Sequence, residues 1–154
     1  MLRNRWNAVK SLSGSAVCAA AIVGLHGMAV AQEASKAAAS VRVELNKIEA
    51  AGENCRTYFL IDNRQQEPWR SLKLDLFALD KDGVAAKRLA VEVGPVPGGK
   101  KLIKLFDFPG LSCPQIGSVL LNDVVACEGA GASREECLAA IETASKVDAV
   151  SFAK

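Results

Sequence analysis

Residues 69–93, WRSLKLDLFALDKDGVAAKRLAVEV, decide the fold. Leu72, Leu74, Leu76 and Ala78 fall on one side of a period-two pattern. Ser71, Lys73, Asp75 and Phe77 fall on the other. That alternation over residues 69–80 predicts a strand with one buried face. Asp80-Lys81-Asp82-Gly83 is a tight turn, because Gly accepts the positive φ that such turns demand. Residues 84–93 return as the partner strand, with Leu89, Val91 and Val93 inward.

The same period extends in both directions. Upstream, Val41, Val43 and Leu45 alternate with Arg42, Glu44 and Asn46, a half-buried strand. Gly52-Glu53-Asn54 is a turn. Residues 55–62, CRTYFLID, are aromatic and β-branched and form a second strand. A polar loop, NRQQEP, follows at 63–68. Downstream, GPVPGG at 94–99 cannot continue a sheet. Residues 100–106 are a fifth strand, 108–114 a constrained loop, and 115–127 a sixth strand with a bulge at Asn122-Asp123. Ser133 with Glu136 has capping-box spacing. Leu138, Ile141 and Ala144 then share a helical face, which predicts a helix over 134–145. The tail 147–154 reads equally as an added edge strand or a loose end.

Six or seven strands with one late helix make an all-β, antiparallel, immunoglobulin-like β-sandwich over 41–127. The helix and tail occupy 128–154. The connections are too short for crossover helices, which argues against a parallel sheet.

The N-terminus reads as an export signal. Arg3, Arg5 and Lys10 precede an apolar core at 16–25, and Ala29-Val30-Ala31 supplies small residues for cleavage. Residues 1–31 are thus expected to be a cleaved signal peptide, and 32–40 a linker. There is no Arg-Arg pair, so the general secretory route to the periplasm is expected. The signal takes three of the 19 Lys and Arg and none of the 17 acids, leaving 16 against 17. A chain so balanced does not suit nucleic acid. Its one local basic cluster, Lys100, Lys101 and Lys104, reads as a solvated strand face. No later apolar run approaches the ~18–20 residues of a membrane span.

Four cysteines follow the signal: Cys55, Cys113, Cys127 and Cys137. An even number in an exported chain implies two disulfides. In a sandwich of alternating strands the second and sixth run the same way. Cys55 at the start of one and Cys113 just before the other therefore share an end. Cys127 lies ~40 Å of extended chain further on, beyond the ~7 Å limit for a bridge to Cys55. The expected pairs are Cys55–Cys113 and Cys127–Cys137.

Pro68-Trp69, then Leu74-Asp75-Leu76-Phe77-Ala78-Leu79-Asp80-Lys81-Asp82-Gly83 and Pro97-Gly98, resemble the FxLYD-type immunoglobulin-like domain. The likeness spans about residues 41–125. The whole plan also resembles small exported alphaproteobacterial proteins of unknown function. They share Val-Glu-Leu-Asn-Lys, here 43–47, and Asn-Asp-Val-x-x-Cys, here 122–127. These resemblances imply the fold and bring no catalytic residues.

The sole histidine, His26, lies in the signal. The mature chain therefore lacks the imidazole of a Ser-His-Asp triad, a Cys-His pair or a His-bearing zinc site. No catalytic, cofactor-binding or metal residue is assigned. Asp80, Asp82 and Gly83 begin like a calcium loop, but the residues that follow do not complete one. Glu44, Asp62, Asp75, Asp107 and Asp123 are candidates for paired carboxylates. Tyr58, Trp69 and Phe77 are candidates for an interaction surface, although Trp69 also suits a plug at the end of the sandwich. Phe77 points outward, either beneath the C-terminal helix or toward a partner. The expected function is a non-enzymatic periplasmic binding or accessory module, with another envelope protein as its partner. A carboxylate-only hydrolase and a small-ligand carrier are the alternatives.

Overall fold

The computed structural model describes residues 41–129 and 133–154. The expected signal, its cleavage after Ala31 and the linker lie outside the described residues. The described chain forms eight strands: β1 Val41–Ala51, β2 Asn54–Asn63, β3 Ser71–Leu79, β4 Ala85–Glu92, β5 Lys101–Phe108, β6 Ser118–Glu128, β7 Ile141–Ser145 and β8 Ser151–Ala153. A 3₁₀ turn, Cys113–Gln115, precedes β6, and a helix, α1 Arg134–Ala139, precedes β7. Two four-stranded sheets result, ordered β5-β2-β1-β7 and β4-β3-β6-β8. The protein is a β-sandwich, with eight strands rather than six or seven.

The alternating apolar residues form the core between the sheets. Val41, Val43 and Leu45 from β1 meet Leu72, Leu74, Leu76 and Ala78 from β3, all buried. Cys55, Phe59 and Ile61 from β2 join them. The hairpin at 80–83 forms as expected, with Gly83 at φ 79°. Its Asp80 carboxylate accepts the N–H groups of Asp82 and Val84, both at 2.9 Å. That carboxylate completes the turn. The bulge in β6 also forms: Asp75 faces Asp123 and Leu76 faces Leu121, leaving Asn122 as the extra residue.

The C-terminal region departs from expectation. The capping box forms, with Ser133 and Glu136 bonding each other's backbone N–H. The helix then stops at Ala139 instead of continuing to 145. Residues 141–145 pair in parallel with Val41–Leu45, and 151–153 pair in parallel with Ser118–Leu120. The helical face of Leu138, Ile141 and Ala144 was a real local pattern. The free edge of β1 offers a five-residue parallel ladder and burial of Ile141, which outweighs it. The sheets are consequently mixed at these edges, not wholly antiparallel. The tail resolves as a strand, and Phe152 packs edge-on against Phe59 with ring centroids 5.4 Å apart.

Both disulfides join the expected cysteines. Cys55–Cys113 ties the start of β2 to the 3₁₀ turn with a Cα separation of 4.7 Å. Cys127–Cys137 ties the end of β6 to α1 at 6.6 Å. Such bridges are at home in an oxidising, extracytoplasmic setting. No helix among the described residues is long and apolar enough to cross a membrane.

Candidate functional site

Cross-strand partners share a face, so the strand register arranges the outer side of the first sheet in rows. Glu142, Arg42, Asp62 and Lys101 form one row; Ala144, Glu44, Leu60 and Ile103 form the next. Lys47, Tyr58 and Leu105 come third, then Glu49, Arg56 and Asp107. The outer rows are ionic. Lys101 lies 3.2 Å from Asp62, and Arg42 lies 3.7 Å from Glu142. Arg56 grips Asp107 through two bonds of 2.8 and 3.0 Å and holds its carboxyl below the usual range. Lys47 sits 5.0 Å above the Tyr58 ring. The Tyr58 hydroxyl donates to Glu49, which raises the phenol's pKa. Lys47, and then Tyr58, hold the Glu49 carboxyl low. Between these rows Ile103 and Leu105 stand 45% and 48% exposed beside half-buried Leu60. The result is an apolar strip in a charged frame, and it runs along the edge strand β5.

Beside that strip the two sheets part. An open groove of about 570 Å³ lies between β4 and β5. Leu89, Val91, Leu105 and Phe106 line it, with Arg56, Glu92 and Asp107 among its polar residues. A carrier would be favoured by an enclosed apolar void, and this space opens to solvent.

The three aromatic candidates are not brought together. Tyr58 belongs to the strip just described. Trp69 is completely buried and bonded through its backbone to Val96, so it plugs the core and offers no surface. Phe77 lies on the outer face of the second sheet, half-buried, with the Arg88 guanidinium 5.7 Å from its ring centre. The helix expected above it packs instead against β6 and β7.

The candidate carboxylates are likewise scattered and engaged. Glu44 accepts from Arg42 and Asn46. Asp62 faces Lys101 and Arg64. Asp75 accepts from Arg88 at 2.7 Å and Asn122 at 2.9 Å. Asp123 lies 3.9 Å from Arg134. Among the described residues no group of three or more His, Cys, Asp and Glu is placed to hold a metal.

Ile103 and Leu105 carry no surface signal in the sequence beyond their place in a strand, and Lys104 does not sit where its cluster suggests. Lys104 pairs with buried Phe59, so it points toward the inside of the sandwich and away from the face that carries Lys101. The reading of Lys100, Lys101 and Lys104 as one solvated face is therefore corrected. Spacing alone carried that signal, since residues three apart in a strand lie on opposite faces.

No family model and no curated protein matches the chain. Among solved structures it is similar to IrmA from Escherichia coli, with a TM-score of 0.51 and 13% identity. That likeness covers 67% of this chain and 89% of the other. At such identity it bears on the fold alone.

Proposed function

We propose that this protein is a non-enzymatic binding or accessory module of the bacterial periplasm. In this reading it is exported by the general secretory route, cleaved after Ala31, and holds another envelope protein. The observation that carries the proposal is the contiguous strip of Ile103, Leu105, Leu60 and Tyr58 on an edge strand, bordered by the open groove. Single exposed apolar residues are ordinary, whereas a contiguous strip bordered by polar groups marks a contact surface. The disulfides support an extracytoplasmic location. The carboxylates of this face are held by Arg42, Arg56, Lys47 and Lys101, which suits a structural role better than acid–base work.

The test is site-specific photocrosslinking in intact producing cells. A photoreactive residue replacing Leu105 should give one discrete adduct. The same residue replacing Val84, 61% exposed near the distant hairpin turn, should give none. Equal labelling at both positions, or no adduct at Leu105, would overturn the assignment.

A further inference from the structure

The backbone of β5 has its own free partners. Asn63 N–H donates to the Lys100 carbonyl at 3.0 Å. In an antiparallel register bonded pairs recur every second residue. Leu102, Lys104, Phe106 and Phe108 therefore bond to β2. Lys101, Ile103, Leu105 and Asp107 turn their N–H and C=O groups away from the sheet. Those same four residues carry the outer-face side chains. β4, the equivalent edge of the second sheet, offers less: Arg88 is tied to Asp75, Glu92 accepts the Leu72 N–H, and Ala90 lies between them.

Lys104 determines what such an edge can accept. It is half-buried, on the inward face beside Phe106, and neither Lys100 nor Lys104 has an ion-pair partner among the described residues. An inward lysine on an edge strand repels neutral strands, since pairing would bury its charge uncompensated. An acidic residue directly opposite removes that penalty.

We propose, resting on the binding-module reading above, that β5 accepts an extended segment of a partner protein as a fifth strand of the first sheet. That segment carries an acidic residue opposite Lys104 and apolar residues opposite Ile103, Leu105 and Phe106. Its backbone takes the free N–H and C=O groups of β5. Its outward side chains extend the apolar strip. The side chain opposite Phe106 enters the groove against Leu89 and Val91, and the acid pairs with Lys104. Affinity comes from the ladder and selectivity from the inward charge of Lys104.

The probes are two capped peptides of roughly eight residues, Thr-flanked, centred on Val-Val-Glu-Val for antiparallel addition and Val-Glu-Val-Val for parallel addition. One should bind the full mature protein and slow hydrogen exchange at the Ile103, Leu105 and Asp107 amides. The amides of Leu102, Lys104 and Phe106 should be slow beforehand. Lys104→Glu should weaken binding about tenfold or more, and a peptide with Lys in place of Glu should restore it. Leu105→Pro removes one outward N–H without touching the β2 ladder, and should also weaken binding. Failure of both peptides to bind, binding without slowed β5 amides, or indifference to Lys104→Glu would overturn strand addition. So would slowing of those amides by self-association alone. The crosslink at Leu105 separates the two readings. An adduct that persists in Lys104→Glu keeps the module and removes strand addition, while absence of any adduct removes the module itself.

Discussion

Asp75 shows how one buried charge can be misread from sequence and still be well explained. Its position in the alternation of β3 puts it on the solvent side, yet its side chain is only 2% exposed. Cross-strand neighbours cover it: Arg88 from β4 and Asn122 from the β6 bulge. The Arg88 bond holds its carboxyl below the usual carboxylate range, against the opposing effect of burial. A pKa lowered in the folded state stabilises the fold above the unfolded value of about 3.9 and loses that effect as pH falls through the folded one. Asp75→Asn should therefore cost about 1–2 kcal/mol at neutral pH, a modest value because the Arg88 head remains in water. Urea unfolding across a pH series checks this. The gap between wild type and variant should close in acid, and a gap that stayed constant would assign the loss to shape rather than charge. Asn63 has a structural role that its polar surroundings in sequence do not reveal. Its side-chain amide donates to the Glu67, Val96 and Pro97 carbonyls and joins two loops that sequence shows only as polar and Pro-rich.

At the scale of elements, legibility followed the reach of the interactions. The β3–β4 hairpin, the β6 bulge and the capping box are local, and their residues announce them. The Cys55–Cys113 pairing is long-range, but it follows from strand direction, which short connections fix. β7 could not be read this way. Its pairing partner is the free edge of β1, about a hundred residues earlier, and that edge exists only once the sheet has formed. This changes the role of the second disulfide. Cys127–Cys137 closes a short loop, yet α1 leads directly into β7, so the bridge also positions a strand of the other sheet. Loop-closure entropy sets the two bridges at about 4 and 3 kcal/mol for separations of 58 and 10 residues. Replacing Cys55 and Cys113 together by Ser should therefore destabilise more than replacing Cys127 and Cys137 together. Urea midpoints of the two double variants decide it. A reversed order would mean that seating β7 outweighs chain entropy.

For the molecule as a whole, the sandwich has two unlike sides. One is closed: α1, β7 and β8 pass from sheet to sheet, and Ile141, Val150 and Phe152 fill the core beneath them. The other is open, with β4 and β5 as parted edges and the proposed contact surface between them. The sequence conveyed the sandwich because burial is periodic, but not this asymmetry, because openness depends on which edges the last strands choose to cover. If closing one side is what permits the other to stay open, the last strands must carry a large share of the stability, and that can be measured. Burial of three large side chains supplies roughly 5–8 kcal/mol, comparable with the whole stability of many domains of this size. A chain ending at Ala140 should therefore lose cooperative unfolding altogether. Phe152→Ala, which leaves the strands but removes the ring packed on Phe59, should cost about 3–5 kcal/mol and keep a single transition. Chemical unfolding followed by tryptophan fluorescence suits both, because Trp69 is buried in the same core. If the truncated chain still unfolds in one steep transition with Trp69 shielded, β7 and β8 are additions to a six-stranded sandwich that stands without them. The open β5 edge would then owe nothing to closure of the opposite side.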